Sequence, residues 1–166
     1  SEMCIRDRTK NVDTNGSVQS VAQKVLPSVV SITVEAGNSG DTGSGSIISE
    51  DGTIITNNHV IAGAANGGKI SVTLNDGTTY PADIVARDPE TDIAVIKAQG
   101  ASGLPPISLG DSSKLEVGQE VVAVGSPLGL DATVTSGIIS AQNRPVQASS
   151  ESSDQSTLCL LYTSPS

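Results

Sequence analysis

The pattern of apolar and polar positions divides the chain into short elements. Between residues 18 and 26 apolar side chains recur every three or four positions, which predicts an amphipathic helix of about two turns that ends at Pro27. Six short apolar or alternating runs follow, separated by turns rich in Gly, Asn and Asp. They predict strands at residues 29–34, 43–48, 53–56, 70–74, 80–86 and 92–97. Six short strands are enough to close one small β-barrel.

Some features of this first unit refine the prediction. Residues 35–42 are polar and Gly-rich, which predicts a turn or loop. The glycines between residues 43 and 48 indicate a close backbone approach or a bulge, and Pro81 indicates an edge strand or an irregular start of its strand. We therefore expect residues 18–106 to contain the helix and a first barrel, after a disordered lead at residues 9–17.

The second half of the chain predicts an incomplete unit. A linker with Gly and Pro at residues 98–106 precedes residues 107–141, which read as the start of a second β unit with strands at 120–125 and 132–140 around a turn at 126–130. Residues 142–157 are polar and Ser-rich, as in a long loop or a disordered segment. Two strands cannot close a barrel and leave bare edges, so this unit should be marginal by itself.

Composition supports an all-β chain and excludes several partners. The 166 residues include 17 Gly and no Phe or Trp, with many Val, Ile, Ser and Thr, a mixture that favours strands and turns. The net charge of -9, with only 9 Lys and Arg, would repel a phosphate backbone, so we expect no nucleic acid partner. No apolar run approaches the roughly 18 to 20 residues of a membrane span, and no signal-peptide pattern is present.

The two ends look foreign to the rest. Cys4 and Cys159 lie near opposite termini, which raises the question of a disulfide. A codon-level reading gives another interpretation, because one DNA element read in opposite directions can encode both Met3 to Asp7 and Cys159 to Ser164. This element resembles the transposon adapter of sequencing libraries. We therefore predict that residues 1–8 and 158–166 are translated adapter and that the chain is a fragment.

Candidate chemistry centres on His59, the only histidine of the chain. It follows a short apolar strand, which should present the imidazole at the rim of a sheet, where a general base or a purely structural histidine could lie. Asp92 opens an apolar strand, where an unpaired carboxylate would be costly to bury, and a hydrogen bond from His59 would offset that cost. Asp88 and Glu90 compete for this role, although both fall in a turn where water can solvate them.

Four segments carry a family resemblance. They are G-S-G-S-I-I-S-E-D-G-T-I-I-T-N-N-H-V at residues 43–60, R-D-P-E-T-D-I-A-V-I-K at 87–97, V-G-Q-E-V-V-A-V-G-S-P-L-G-L at 117–130 and T-V-T-S-G-I-I-S-A at 133–141. In order and spacing they resemble the protease domain of the HtrA/DegP family of trypsin-like serine proteases, in particular its membrane-tethered actinobacterial members. The resemblance covers residues 21–157.

The resemblance implies a double β-barrel with a Ser-His-Asp triad in the cleft between the barrels. In this chain the first barrel would be complete and the second truncated after about two strands. His59 matches the general base in T-N-x-H-V, and Asp92 matches the acid in D-I-A-V-I-K that holds the ring's tautomer and stabilises the imidazolium. The family's nucleophile lies in G-N-S-G-G-P-L beyond the loop at 142–157, so we expect the serine and its oxyanion hole to be absent here and the fragment to be inactive.

Three serines within the chain could be mistaken for that nucleophile. Ser39 lies in G-N-S-G, but it precedes the histidine, is followed by Asp41 and belongs to a predicted loop between two strands of the first barrel. Ser44 and Ser126 each adjoin a glycine and are better interpreted as strand and turn residues. We expect none of the three to act as the nucleophile.

The family also implies a setting for the parent protein. Members hydrolyse unfolded or damaged proteins outside the cytoplasm, commonly carry an upstream signal or anchor and a downstream PDZ domain, and assemble as homotrimers. No metal or organic cofactor is implied. The alternative is a non-catalytic pseudoprotease or chaperone-like β-barrel binding module that keeps the fold and has lost the serine.

Overall fold

The computed structural model describes residues 17–126, 133–140 and 160–162. Two helices, α1 (Ser17–Val25) and α2 (Asn58–Ile61), accompany nine strands, with short 3-10 turns at Leu26–Ser28, Ala62–Asn66 and Ser112–Lys114. The strands are β1 (Val29–Ala36), β2 (Ser39–Ile47), β3 (Thr53–Asn57), β4 (Lys69–Thr73), β5 (Thr79–Asp88), β6 (Ile93–Ala98), β7 (Glu120–Gly125), β8 (Thr133–Ile138) and β9 (Leu160–Tyr162).

Strands β1 to β6 form a closed barrel in the order β1-β2-β3-β6-β5-β4, and every neighbouring pair is antiparallel. Closure pairs each of the six strands on both sides, which removes the exposed edges of an open sheet. The predicted all-β fold with one complete barrel is therefore confirmed. Pro81 lies in β5 opposite Ser71 of β4, so it marks no edge strand. The irregularity of β5 is a register shift between Ile84 and Ala86.

The barrel interior is packed with branched aliphatic side chains. Alternate residues along each strand point inward, so the period-two pattern of the sequence becomes the core. The buried cluster also takes in Val60 and Ile61 of α2 and Leu104 of the predicted linker. Its strand members are Val30, Ile32, Val34, Ile47, Ile54, Ile70, Val72, Ala82, Ala94, Ile96 and Ala98.

The loop predicted at residues 35–42 is wrong. β1 continues to Ala36 and β2 begins at Ser39, so only Gly37 and Asn38 form the turn of a tight hairpin. Gly37 has a φ of +62°, a conformation that glycine adopts without steric penalty. The prediction failed because these residues are polar, and polar residues also occur at the solvated outer end of a barrel hairpin. Ser39 to Thr42 are exposed although they lie in a strand.

The second sheet has three strands in the order β8-β7-β9, one more than the two predicted. β7 and β8 match the predicted pair, with Glu120 opposite Ile138. β9 pairs with the other side of β7 and lies within the segment interpreted as adapter, an interpretation that stays a prediction. An open strand edge offers unpaired backbone groups to any extended segment that can reach it. The predicted turn at 126–130, apart from Ser126, and the loop at 142–157 lie outside the described residues.

Helix α1 joins the two units through a second apolar cluster. Val21 and Val25 of the helix and Val29 pack against Val122 and Val124 of β7, and all five side chains are buried. The helix ends as predicted, since a 3-10 turn containing Pro27 follows it.

Within the described ranges, no helix is both long and apolar enough to span a membrane.

Hydrogen bonds also connect the barrel with the end of β7. The backbone N–H of Ser126 donates to Oγ of Ser44 at 2.7 Å, and Oγ of Ser31 donates to the carbonyl oxygen of Ser126 at 3.3 Å. Both barrel serines are buried, Ser44 completely. The N–H of Leu104, in the predicted linker, donates to the carbonyl of Glu50 at 3.1 Å, and the N–H of Ile107, just after it, donates to the carbonyl of Ile47 in β2 at 2.8 Å. The division of the chain at residue 106 stays a prediction.

Candidate active site

Strand register brings His59 and Asp92 together. β3 and β6 are antiparallel neighbours, with Asn57 opposite Ile93. Since the end of one antiparallel strand lies beside the start of the next, the residues just after Asn57 meet the residue just before Ile93. The predicted strand at 92–97 is therefore shifted by one position. Asp92 lies outside the ladder, where its side chain can turn towards His59.

Helix α2 aims the histidine. It is a single turn, and its buried residues Val60 and Ile61 anchor it to the barrel while His59 on the other face is exposed. A Cβ atom at Gly43 would lie 2.6 Å from Cγ2 of Val60, so only glycine at this position of β2 allows the helix to dock so closely. The close approach predicted from the glycines of this strand is confirmed.

Asp92 contacts His59 through both carboxylate oxygens. Oδ1 accepts the backbone N–H of His59 at 2.8 Å, and Oδ2 lies 2.6 Å from Nδ1 of the imidazole. The two side chains are 42% and 38% exposed, so the pair lies at the barrel surface and its ring remains accessible. With a proton on Nδ1 shared with the carboxylate, Nε2 carries the lone pair, and no described residue hydrogen-bonds to it. The arrangement can accept a proton at Nε2.

The two competing carboxylates, those of Asp88 and Glu90, do not contact the histidine. Oδ1 of Asp88 accepts the N–H of Glu90 at 3.1 Å. Hydrogen bonds from Thr91, foremost from its side chain, hold the pKa of Asp88 below its usual value. Asp88 thus closes the turn between β5 and β6, Glu90 is exposed on that turn, and only Asp92 of the three contacts the histidine.

A second polar link ties β3 to β6 at the opposite end of the strand pair. Lys97 of β6 forms an ion pair with Asp51 at 2.8 Å and also donates to its backbone carbonyl. Ser49 and Thr53 donate to the same carboxylate. Hydrogen bonds from Lys97, Ser49 and Thr53 hold the pKa of Asp51 far below its usual value. These contacts fix the turn from which β3 starts, and β3 leads directly into the helix that contains His59.

Sequence reasoning missed the polar residues around the pair. Nδ2 of Asn57 donates to the carbonyl oxygen of Asp92 at 3.0 Å, and the backbone N–H of Asn58 donates to the same oxygen at 3.1 Å. Oδ1 of Asn58 accepts Nε of Arg87 at 2.9 Å, although Asn58 is only 9% exposed. Two adjacent asparagines at the end of a strand, directly before the histidine, were the available signal.

The three candidate serines have other contacts. Oγ of Ser39 donates to the carbonyl oxygen of Ala36 at 3.0 Å within the β1–β2 hairpin. Ser44 is buried and accepts the N–H of Ser126, while its own carbonyl accepts Oγ1 of Thr56 at 2.9 Å. Among the described residues, none of these serines hydrogen-bonds to His59.

The part of the chain that the structure describes also contains no group of three or more His, Cys, Asp or Glu side chains arranged to hold a metal ion.

Comparison with known proteins places this geometry in a family. The model of the trypsin-like peptidase domain matches residues 43–165. Serine protease PepD of Mycobacterium tuberculosis is 54% identical over 149 residues, which cover 86% of this chain and 32% of that protein. Two proteins named "Probable periplasmic serine endoprotease DegP-like", from Halomonas elongata and Chlamydia trachomatis, are 58% and 53% identical over 102 residues, or 61% of this chain and 21% and 20% of their own lengths.

The extent and the content of these matches agree with the structure. The chain spans between a fifth and a third of the length of these relatives. The family match includes β3 and β6, beside which His59 and Asp92 lie, as well as the second sheet. The predicted resemblance is confirmed, and the chain belongs to the trypsin-like peptidases, within the HtrA/DegP family of serine proteases.

Proposed function

We propose that His59 and Asp92 are the general base and the orienting acid of a serine endopeptidase. One observation carries the proposal: Asp92 bonds both the backbone N–H and Nδ1 of the same histidine, at 2.8 and 2.6 Å. Two contacts to one residue fix both the position and the rotation of the imidazole. A solvated surface ion pair would require neither a fixed position nor a fixed rotation of the ring. Nε2 remains available to the hydroxyl of a nucleophilic serine.

The proposed mechanism follows from this geometry. Nε2 takes the proton of a serine hydroxyl as the oxygen attacks the peptide carbonyl, and later gives it to the leaving amine. The positive charge that develops on the ring is stabilised by the carboxylate at Oδ2, while the bond from the His59 N–H to Oδ1 keeps the carboxylate in place. His59 thereby acts alternately as base and acid.

We also propose that the nucleophilic serine is not among these 166 residues, so that the chain itself is inactive. The Gly-Asn-Ser-Gly-Gly sequence expected after the acid does not occur, and Ser39 is engaged in a hairpin. A fluorophosphonate probe should leave the purified chain unlabelled, and no peptide should be cleaved. Specific labelling that disappears in Ser39→Ala would refute this proposal.

The parent protein provides the positive test. Its DNA, read past the codon for Thr157, should encode Gly-Asn-Ser-Gly-Gly, whereas a replaced serine would favour the pseudoprotease or binding module. In the active parent, Asp92→Asn should lower kcat about 10⁴-fold, because the amide holds the imidazole in the wrong tautomer. Retention of near-normal kcat in that variant would remove Asp92 from the mechanism.

The setting of the parent follows from the family as a proposal. Its substrates would be unfolded or damaged proteins, and its location would be extracytoplasmic, in line with the periplasmic location in the names of the DegP-like relatives. A homotrimer with a downstream PDZ domain would complete the assembly. Fractionation of the source cells and light scattering of the full-length protein would test location and assembly separately.

A further inference from the structure

The backbone of Asp92 adopts an unusual conformation. Its φ of +56° makes it the one non-glycine residue with positive φ in the ranges that the structure describes. This left-handed region is disfavoured for residues with a Cβ, although Asp tolerates it better than most. Such a conformation persists only where neighbouring contacts impose it.

Two donors hold the carbonyl of Asp92, and only one of them depends on a side chain. The N–H of Asn58 at 3.1 Å would be supplied by any residue except proline. The carboxamide of Asn57, whose Nδ2 lies 3.0 Å from the same oxygen, is specific to asparagine at this position. Together they fix the peptide that follows Asp92 and leave its side chain directed at His59.

The carboxamide of Asn57 has no other structural task in its own helix. Asn57 is the N-cap residue of α2, where an asparagine side chain ordinarily accepts a backbone N–H of the first turn. Here it makes no capping hydrogen bond. The side-chain Nδ2–H of Asn57 instead donates across the β3–β6 pair to the carbonyl oxygen of Asp92, 35 residues away in the sequence.

We propose that Asn57 is a positioning residue for the His-Asp pair, acting through the carbonyl of Asp92. Its hydrogen bond holds Asp92 in the left-handed conformation that lets one carboxylate meet both the N–H and Nδ1 of His59. Without it, only the N–H of Asn58 holds that carbonyl, so the Asp92 peptide rotates more readily to negative φ and the carboxylate leaves Nδ1 more often. This inference rests on the proposed function, since it concerns the orientation of the proposed base.

The single histidine makes a direct test possible in this chain. Long-range ¹H–¹⁵N correlation of the imidazole reports which ring nitrogen carries the proton, and only His59 contributes. In the neutral ring we expect the Nδ1–H tautomer to dominate. In Asn57→Ala the ratio of Nδ1–H to Nε2–H should fall about five-fold, the change expected when one hydrogen bond is lost.

Two further variants separate positioning from capping. Serine caps helices as well as asparagine does, but its hydroxyl is too short to reach the Asp92 carbonyl. Asn57→Ser should therefore lower the tautomer ratio as Asn57→Ala does, whereas a capping role would restore it to the parent value. Asn66→Ala, at an exposed asparagine later in the same segment, is the matched control and should leave the ratio unchanged.

The outcomes distinguish this inference from the proposed function. Asp92→Asn should invert the tautomer; if it changes nothing, the His-Asp pair itself is refuted. If Asp92→Asn inverts the tautomer and both Asn57 variants retain the parent ratio, the positioning role is refuted while the pair stands. Loss of the barrel's amide spectrum in both Asn57 variants would also refute it, because removal of one partly buried hydrogen bond should leave the barrel folded.

Discussion

The first barrel and the second sheet use similar residues but differ in closure. Each of the strands β1 to β6 has a partner on both sides, and their inward residues form one buried cluster. Among the described strands of the second sheet, only β7 is paired on both sides. β8 is exposed along most of its length, with Val134 alone among its apolar residues packed against the second cluster, and Ile138 is 63% exposed.

The difference explains why half of a proposed active site can be well formed in this chain. His59 directly follows the end of β3 and Asp92 directly precedes β6, two neighbouring strands of the closed barrel, and Asn57 and Asn58, which hold the carbonyl of Asp92, lie at the same end of β3. The second sheet provides none of these contacts. Closure of the first barrel therefore brings the proposed base and its proposed acid together without the other barrel, to which the family resemblance assigns the nucleophile.

Amide exchange should show the largest contrast between the two regions. Amides at the centre of β3 and β6 should exchange only through global unfolding, while those of β7 and β8 open locally. We expect the second set to exchange at least about a hundred-fold faster, equivalent to about 3 kcal/mol. Native-state hydrogen exchange measured by NMR tests this, and equal protection in both sheets would show that the second sheet folds as one unit with the barrel.

Matched core truncations should show the next largest effect. Val72 in β4 is 0% exposed and Val124 in β7 is 1% exposed. A Val→Ala substitution therefore removes the same atoms from two equally buried sites. We expect Val72→Ala to lower the free energy of unfolding by about 2 kcal/mol, because the closed barrel cannot collapse around the cavity. Val124→Ala should cost less than half of that in urea denaturation, and equal losses would contradict the comparison.

The link between the regions should give the smallest effect. Ser44→Ala removes the acceptor of the Ser126 N–H and should destabilise the docking of β7 by about 1 to 2 kcal/mol. Ser46, on the same strand, is also buried, but its hydroxyl has no hydrogen-bond partner among the described residues, so Ser46→Ala is the matched control and should be close to neutral.

The readout for this pair is the exchange rate of the Ser126 amide. It should rise in Ser44→Ala and remain unchanged in Ser46→Ala, with the barrel amides unaffected in both. If the two variants behave alike, the hydrogen bond from Ser126 to Ser44 does not hold the second sheet on the barrel.

Much of the barrel was predictable because its signals are local. The alternation of apolar residues and the Gly, Asn and Asp turns predicted six strands, and the structure closes all six into a barrel. The prediction failed at the solvated end of the β1–β2 hairpin, because the strand residues there are polar and do not show the alternation of apolar and polar positions. It also undercounted the second sheet, because β9 lies in residues 158–166, which were interpreted as adapter and therefore left out of the predicted fold.

For the site, the sequence alone determined the identities of the candidate residues: a single histidine at the end of an apolar strand, a carboxylate at the start of another, and the motifs around both. The motif already favoured Asp92 over Asp88 and Glu90, and only the tertiary structure brings its carboxylate into contact with the imidazole. The physical reason is strand register. Pairing of Asn57 with Ile93 places Asp92 beside His59, and the positive φ of Asp92, held by Asn57, turns both carboxylate oxygens towards it.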